Sequence, residues 1–321
     1  MPDARDMIPE KHWFDSQLQA AKDAIAAGDS AGARAILTAL PADDGGAMGP
    51  LTAAGVPRRL HAVLGRLARA EGTRAEALGW QVTQGPPPET LAPAARLSPA
   101  EIARARDMAT TPVPRVLHQI WIGPKPVPVN IARWQAHAAR GGWRHRLWRE
   151  ADLAALAIDR DPAFRAMLAA GDYPGAVDVA RYAILATEGG IYLDADWFPA
   201  KGTLETRVPL IGLIALAEAA PRLTGAGAVM LGNYLIGAPA GHPAMTALAR
   251  AVPEAMRLIP RAPAWWVSGP VIFTLVARQC PLTLPPMGTV APDLPDTATL
   301  AEAEATAQAT DALMFTWKSW R

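Results

Sequence analysis

One cysteine, Cys280, stands in 321 residues. A lone thiol excludes an internal disulfide framework and any multi-cysteine metal centre, and a small buried apolar residue is its expected role. An excess of charge of one sign is lacking too: 31 Lys and Arg against 30 Asp and Glu leave a formal net charge of +1. That balance gives no general attraction to nucleic acid or to an anionic membrane, so an anionic partner has to be held by a local site. No uninterrupted apolar run approaches the roughly 18 residues of a membrane span, and the polar opening Met1 to Lys11 shows no leader pattern. A cytoplasmic, reducing location is the expectation. Half of the residues are nevertheless apolar, enough for one large domain plus a small one.

The stretch that organises the chain runs from Asp178 to Asp196, D-V-A-R-Y-A-I-L-A-T-E-G-G-I-Y-L-D-A-D. Helical spacing of Val177, Ala180, Ala183, Ile184 and Leu185 predicts a helix on which Asp178 and Arg181, three apart, share a face. Gly189 and Gly190 stop it, because glycine accepts the left-handed conformation that lets the chain turn at once into a strand. Period-two alternation then sends Ile191, Leu193 and Ala195 to one face and Tyr192, Asp194 and Asp196 to the other. Two carboxylates about 6 to 7 Å apart along a strand repel unless a cation sits between them, and a hard divalent ion with oxygen ligands is the expected answer. Asp194 and Asp196 are therefore the candidate ligands of Mg²⁺ or Mn²⁺.

The remainder falls into two parts. Residues 1–110 read as helical and separate: Trp13, Leu18, Ala21 and Ile25 form one stripe, Ala31 to Leu40 a second, and Leu60, Val63, Leu64 and Leu67 a third, with Arg74 to Val82 after Gly72. Two helical hairpins follow, without a clear repeat near 34 residues that would make them a tetratricopeptide array. Gly85-Pro86-Pro87-Pro88 is the expected linker, within a proline-rich stretch near 85–93. Ser98-Pro99-Ala100-Glu101 has the form of a capping box opening a helix. From 111 to 321 strands alternate with helices. Val116 to Ile122 is a buried first strand ending at Gly123-Pro124, Asn130 is a candidate N-cap of the next helix, and Trp143 to Trp148 is a second strand. With the strand before Asp194 third, and candidate strands at Val208 to Leu216 and Val229 to Ile236, the order predicts a nucleotide-binding α/β sheet with flanking helices. Ser268 is a candidate N-cap before Pro270, and two tryptophans near the end, Trp317 and Trp320, require burial or a ligand.

Four segments carry a resemblance: V-P-R-V-L-H-Q-I-W-I-G at 113–123, the Asp178 to Asp196 stretch, G-N-Y-L-I-G-A-P at 232–239 with Gly241-His242-Pro243 after it, and F-T-W-K-S-W at 315–320. Together they resemble the glycosyltransferases with a DXD motif, nearest to family 32, the mannosyltransferase-like group and its bacterial relatives, with the clostridial glucosylating toxins more distant. The resemblance covers 114–321 and implies a GT-A-type fold and a UDP- or GDP-sugar donor. By it Trp121, with Ile122 beside it, stacks on the nucleotide base. Asp196 binds the metal, Asp194 contacts it through water or holds the ribose, Arg181 meets phosphate and Asp178 meets sugar hydroxyls. Tyr192 and Asn233 lie near the donor, while Ser319 and Trp320 form a lid over the diphosphate or metal. Phe315 and Thr316 replace histidines that similar chains carry, so the tail's own contribution to the metal is in question.

The implied activity is retaining, metal-dependent hexosyl transfer to the hydroxyl of a glycan, small molecule or protein, with no nucleic acid involved. Two other readings stay open at this point. One is a sugar-nucleotide-binding protein without transfer, whose N-terminal helices bind a partner. The other is a glycosidase, although a same-face carboxylate pair two residues apart suits a shared cation better than two carboxylates flanking one bond.

Overall fold

The structure, a computed structural model, describes residues 10–49, 51–52, 55–83, 88–218, 230–260 and 262–320. Contacts divide the chain into two compact units, Met1–Thr90 with Ala220–Ala228 and Leu91–Ala219 with Val229–Arg321. The first contains α1 (Lys11–Ala26), α2 (Ser30–Thr38), α3 (Arg58–Ala70) and α4 (Arg74–Val82). Phe14, Leu18, Ala33, Leu37, Val63 and Leu67 close its core, so the apolar stripes of α1 to α3 face one another as their spacing requires. Asp29 caps α2 by accepting from the Gly32 N–H at 2.8 Å, and Arg34 on α2 pairs with Glu71 and, at 3.2 Å, with Glu76. Of the expected proline linker, Gly85 to Pro87 lie outside the described residues, and Pro88 begins a helix rather than an extended spacer.

Helices α5 (Pro88–Ala95) and α6 (Pro99–Asp107) follow, the latter with the capping box of Ser98 and Glu101 in place. Leu91, Ala95, Leu97 and Ala105 enter the core of the second unit, so residues 91–107 pack with the sheet rather than with α1 to α4. The chain continues through β1 (Val116–Ile120), α7 (Val129–Arg140), β2 (Arg144–Trp148), α8 (Glu150–Ala155), α9 (Pro162–Ala169), α10 (Tyr173–Glu188), β3 (Gly190–Leu193) and β4 (Trp197–Pro199). Then come α11 (Leu204–Arg207), β5 (Leu213–Ala217), β6 (Leu231–Ala238), α12 (Pro243–Leu258), α13 (Ala264–Val267), α14 (Pro270–Ala277), β7 (Leu282–Thr283), α15 (Leu300–Ala309) and β8 (Met314–Thr316).

Six strands form one mixed sheet in the order β2-β1-β3-β6-β5-β7. The pairs β1/β2, β1/β3 and β5/β7 are parallel, and β6 runs antiparallel to both β3 and β5. Helices cover both faces. Leu117, Ile191, Leu193, Ile214 and Leu235 pack with Trp134 of α7 and with Trp143 on one side. On the other, Ile120, Trp148, Tyr192 and Ile236 pack with α10, α12 and α14. This double burial explains why the strands read as continuous apolar runs. It also corrects the expected third strand: β3 ends at Leu193, both its faces are buried, and residues 194–196 form a turn instead of continuing the alternation. The first of the two later strands begins at Leu213, after α11 and an irregular stretch, and the second at Leu231.

The entry to β3 depends on two glycines. Gly189 caps α10 at φ +64° with its N–H on the Leu185 carbonyl at 3.0 Å, and Gly190 takes φ +105°. A Cβ on Gly190 would stand 2.7 Å from the Val116 carbonyl oxygen and 2.8 Å from His118 Nε2. His118 is itself pinned: Nδ1 accepts from the Trp148 indole N–H at 3.0 Å, which leaves Nε2–H to donate to the Gly189 carbonyl at 2.9 Å. Burial holds its pKa down at about 4, so the ring is neutral and serves the sheet. Gly190→Ala is expected to cost on the order of 2 to 3 kcal/mol in urea unfolding. Gly171→Ala, at φ +71° in open space, should cost only about 1 kcal/mol; equal losses would contradict the crowding of β3 against β1.

Candidate active site

A cavity of about 430 Å³ opens where β1 and β3 end, within the usual range for a small-molecule site. Trp121, Ile122 and Lys125 come from the segment after β1, Tyr173, Val177 and Arg181 from α10, Tyr192 from β3, Asp194 and Asp196 from the turn after it, and Trp320 from beyond β8. Parallel strands ending together leave this crevice at their carboxyl ends, which is where ligands of α/β sheets bind.

Arg181 is the centre of the polar cluster. Its guanidinium is 5 % exposed, and Nη2 stands 3.0 Å from both Asp178 Oδ1 and Asp194 Oδ1. Nη1 donates to the Asn233 carbonyl, and the guanidinium carbon lies 4.4 Å from the centre of the Tyr192 ring. Burial opposes the charge, yet Asp194, Tyr192 and Asp178 outweigh it and raise the pKa, so Arg181 is a fixed cation. Asp178 sits behind it: Oδ1 accepts from Asn233 Nδ2 at 2.8 Å and Oδ2 from the Ser268 hydroxyl at 2.8 Å. Burial pushes its pKa up to about 6, against the pull of Arg181 and Ser268. Tyr182 completes the cluster, donating to the Ser268 carbonyl at 2.6 Å.

The two motif carboxylates differ in their surroundings. Asp194 is tethered, since Oδ1 accepts from the Tyr192 hydroxyl at 2.6 Å as well as meeting Arg181. Asp196 is not: its Oδ1 is shut off from water and has no hydrogen-bond partner. Burial first and the Asp194 charge second push the Asp196 pKa up to about 7, beyond what the nearby Lys318 and Arg181 offset. An orphaned, crowded carboxylate beside a second one is what a missing cation would satisfy. The cavity offers carboxylate oxygens and neither thiolate nor imidazole, which suits Mg²⁺ or Mn²⁺ over softer metals. Among the described residues no group of three or more His, Cys, Asp and Glu could hold a metal. Diphosphate oxygens and water would have to fill the remaining positions.

The segment after β8 closes one side. Trp197 pairs with Thr316 and Phe198 with Phe315 across β4 and β8, with the two phenyl rings stacked 5.5 Å apart. Phe315 thus fills a core. The Trp317 N–H donates to the Asp196 carbonyl at 2.9 Å, and Asn130 Nδ2 donates to the Trp317 carbonyl at 2.8 Å. Trp320 then meets Trp121 with ring centres 5.2 Å apart.

Of the residues expected at the site, Trp121, Ile122, Arg181, Tyr192, Asp194, Asp196 and Trp320 line one cavity. Asp178 and Asn233 do not line it; they brace Arg181, with both Asp178 oxygens and the Asn233 amide nitrogen and carbonyl engaged by each other, by Arg181, by Ser268 and by Tyr182. Ser319 is not among the lining residues either, and its hydroxyl is buried without a partner. The Tyr192 hydroxyl donates to Asp194 at 2.6 Å. Asn130 does not cap α7, because Pro128 holds the N-cap position and Asn130 is buried inside the helix, tying down the Trp317 segment. Ser268 is not the N-cap of α14, which is Gly269; it is the C-cap of α13, and its hydroxyl donates to Asp178. Sequence reasoning missed Gln119, fully buried in β1, whose Oε1 accepts from His145 Nε2 at 2.9 Å and whose amide nitrogen approaches the Asp194 carbonyl at 3.4 Å. A buried glutamine inside an apolar strand was the available signal.

The fold and the cavity define a mixed α/β protein with an acidic, tryptophan-walled ligand site at its strand ends. In comparison with known proteins, residues 129–209 match the family described as glycosyltransferase sugar-binding region containing DXD motif. That region holds α7 to α10 and the turn of Asp194 and Asp196. Among solved structures the chain is similar to one titled PaToxG Glycosyltransferase, at 18 % identity and a TM-score of 0.42, over 56 % of this chain and 74 % of that one. No curated protein matches.

The Asp196 pKa gives a stability test. Its folded value of about 7 lies above the ordinary 3.8, so the folded state binds the proton more tightly. Ionisation then costs stability progressively from pH 3.8 to 7, with the full cost persisting above pH 7. Asp196→Asn, free of metal, is expected to melt a few degrees above the unsubstituted protein at pH 8 and no higher near pH 4. Added Mn²⁺ should raise the melting temperature of the parent and leave the variant unmoved; identical melting at pH 8 would contradict the crowded carboxylate.

Proposed function

We propose that the protein is a retaining, divalent-metal-dependent glycosyltransferase that moves a hexose from a UDP- or GDP-sugar to an acceptor hydroxyl. The observation that carries this reading is the unsatisfied Asp196 Oδ1 beside the tethered Asp194, in a cavity that also holds a fixed guanidinium and two facing indoles. Departure of a nucleoside diphosphate requires neutralisation of the charge that develops on it. A bound Mg²⁺ or Mn²⁺ supplies that as a Lewis acid, and Asp196 with Asp194 Oδ2 are the residues to hold it. Arg181 adds a second positive charge, paired with Asp194. Because two carboxylates, Asn233 and the Tyr192 ring already fix it, it needs little reorganisation when negative charge appears.

Trp121 offers a flat ring for a nucleobase, with Ile122 beside it and its indole N–H anchored on the Lys125 carbonyl at 3.0 Å. Within a retaining reaction, front-face transfer is favoured over double displacement through a covalent intermediate by how the carboxylates are engaged. Both oxygens of Asp178 accept hydrogen bonds, Asp194 Oδ1 is held by Tyr192 and Arg181, and Asp196 is the cation ligand. None is left as a free nucleophile, so the acceptor is taken to attack from the face the leaving group quits, its proton passing to the departing phosphate oxygen. The reading also places the protein in the cytoplasm, consistent with there being no helix among the described residues long and apolar enough to cross a membrane.

Titration calorimetry with UDP, GDP, CDP and ADP, each in Mn²⁺ and again in excess EDTA, tests this. One uridine or guanosine diphosphate should bind only with metal, and Arg181→Met should weaken it by at least tenfold. Binding that is indifferent to EDTA, or absent for all four, would refute the transferase site.

A further inference from the structure

The turn that carries Asp194 and Asp196 is held by bonds from distant parts of the chain. The Asp194 N–H donates to the Tyr234 carbonyl at 2.9 Å, and the Asp196 carbonyl accepts from the Trp317 N–H at 2.9 Å. Two amide side chains, Gln119 and Asn130, both fully buried, secure the carbonyls at the two ends of the motif. Gln119 does so directly, its amide nitrogen donating to the Asp194 carbonyl at 3.4 Å. Asn130 does so through one residue: its Nδ2 donates to the Trp317 carbonyl at 2.8 Å, and the N–H of that same tryptophan holds Asp196.

A buried amide is costly unless its polar atoms are paired, and the pairing is specific. The Asp194 carbonyl can only accept, so Gln119 turns its NH2 to it and its Oε1 to His145, whose Nε2 stands 2.9 Å away and must carry the proton. A relay thus runs from β2 across β1 to the turn. Asn130 lies in the first turn of α7, directly after the segment that brings Trp121, Ile122 and Lys125 to the cavity. The Trp317 carbonyl that it holds also accepts from the Ser319 N–H at 3.1 Å.

These backbone bonds matter unequally to the two carboxylates. The Asp194 side chain is fixed by the Tyr192 hydroxyl and Arg181, whereas Asp196 Oδ1 has no partner, so the aim of Asp196 depends on its own main chain. A divalent cation takes its oxygens within a few tenths of an ångström, and two carboxylates separated by Ala195 meet one ion only if the peptides between them keep one orientation.

We propose that Gln119 and Asn130 are positioning residues for the divalent cation, fixing the Asp194 and Asp196 carbonyls so that the Asp196 carboxylate stays aimed at an ion that Asp194 also meets. This rests on the transferase reading above. Neither residue lines the cavity, so both act through the turn and touch neither ion nor nucleotide.

The test titrates Mn²⁺ into the full chain in the presence of excess UDP, and again of GDP, and follows amide exchange over residues 194–199 without metal. Gln119→Met and Asn130→Ala should each weaken Mn²⁺ about tenfold or more, the usual effect of removing a group that orients a metal ligand, and should speed exchange in that segment ahead of the rest of the sheet. Gln279→Met is the control. Its amide nitrogen bonds the Ala95 and Leu275 carbonyls at 2.8 Å and its oxygen takes the Leu97 N–H at 3.0 Å, all outside the cavity, so this variant should lose urea stability and keep the parent's Mn²⁺ affinity. Parent-like Mn²⁺ affinity in Gln119→Met or Asn130→Ala would overturn the assignment of that residue. A loss no greater than in Gln279→Met, or exchange that rises evenly across the sheet, would overturn it by showing a purely structural role. A parent that takes up no Mn²⁺ with either nucleotide overturns the transferase reading and this assignment together.

Discussion

A single buried cation, Arg181, sets the terms for the site. A guanidinium taken out of water must be compensated, and here two carboxylates, one backbone carbonyl and one aromatic face do so, with Nε left without a hydrogen-bond partner. Each compensating group comes from a different place in the fold: Asp178 from the same helix, Asp194 from the end of β3, Asn233 from β6 and Tyr192 from within β3. The ion pair therefore does more than hold α10 on the sheet. It fixes the rotamer of Asp194, and through the short link of Ala195 it fixes where Asp196 stands.

That arrangement leaves charge uneven. Asp178, Asp194 and Asp196 are three acids near one guanidinium, and Asp196, which it does not pair with, is the one whose Oδ1 lacks a partner and whose pKa burial pushes up. Electrostatic strain concentrated on one carboxylate at a cavity wall marks a place prepared for a charge the protein does not itself supply. The segment after β8 acts on the same residue from the other side. Its backbone bonds the Asp196 carbonyl, Asn130 bonds the segment, and Trp320 reaches across to Trp121. Carboxylate placement and cavity closure are thus coupled through one residue of the turn.

Much of this was legible in the sequence where local rules decide. The helix of Asp178 and Arg181 with its Gly-Gly stop, the capping box at Ser98 and the strand opening at Val116 follow from spacing and backbone chemistry, which neighbours do not override. What was not legible depended on partners distant in sequence. Asp178 and Asn233 look like ligand contacts when read alone, but 55 residues apart they satisfy each other and face away from the cavity. Asn130 and Ser268 have the residue types of helix caps, yet tertiary contacts with Trp317 and Asp178 claim their side chains. The alternation through Asp196 failed because a strand buried on both faces must end before its carboxylates, which cannot be placed in either core.

The claim on which everything above depends is that Asp196 is one ligand of a cation completed by a diphosphate. Anomalous diffraction at the manganese edge, from crystals grown with Mn²⁺ and the nucleoside diphosphate that binds, addresses it directly. The account predicts one peak in the cavity, about 2.0 to 2.3 Å from an Asp196 oxygen and from diphosphate oxygens, with Arg181 still paired to Asp194. A nucleotide bound in the cavity without a metal at Asp196, or a manganese peak held elsewhere, would contradict it.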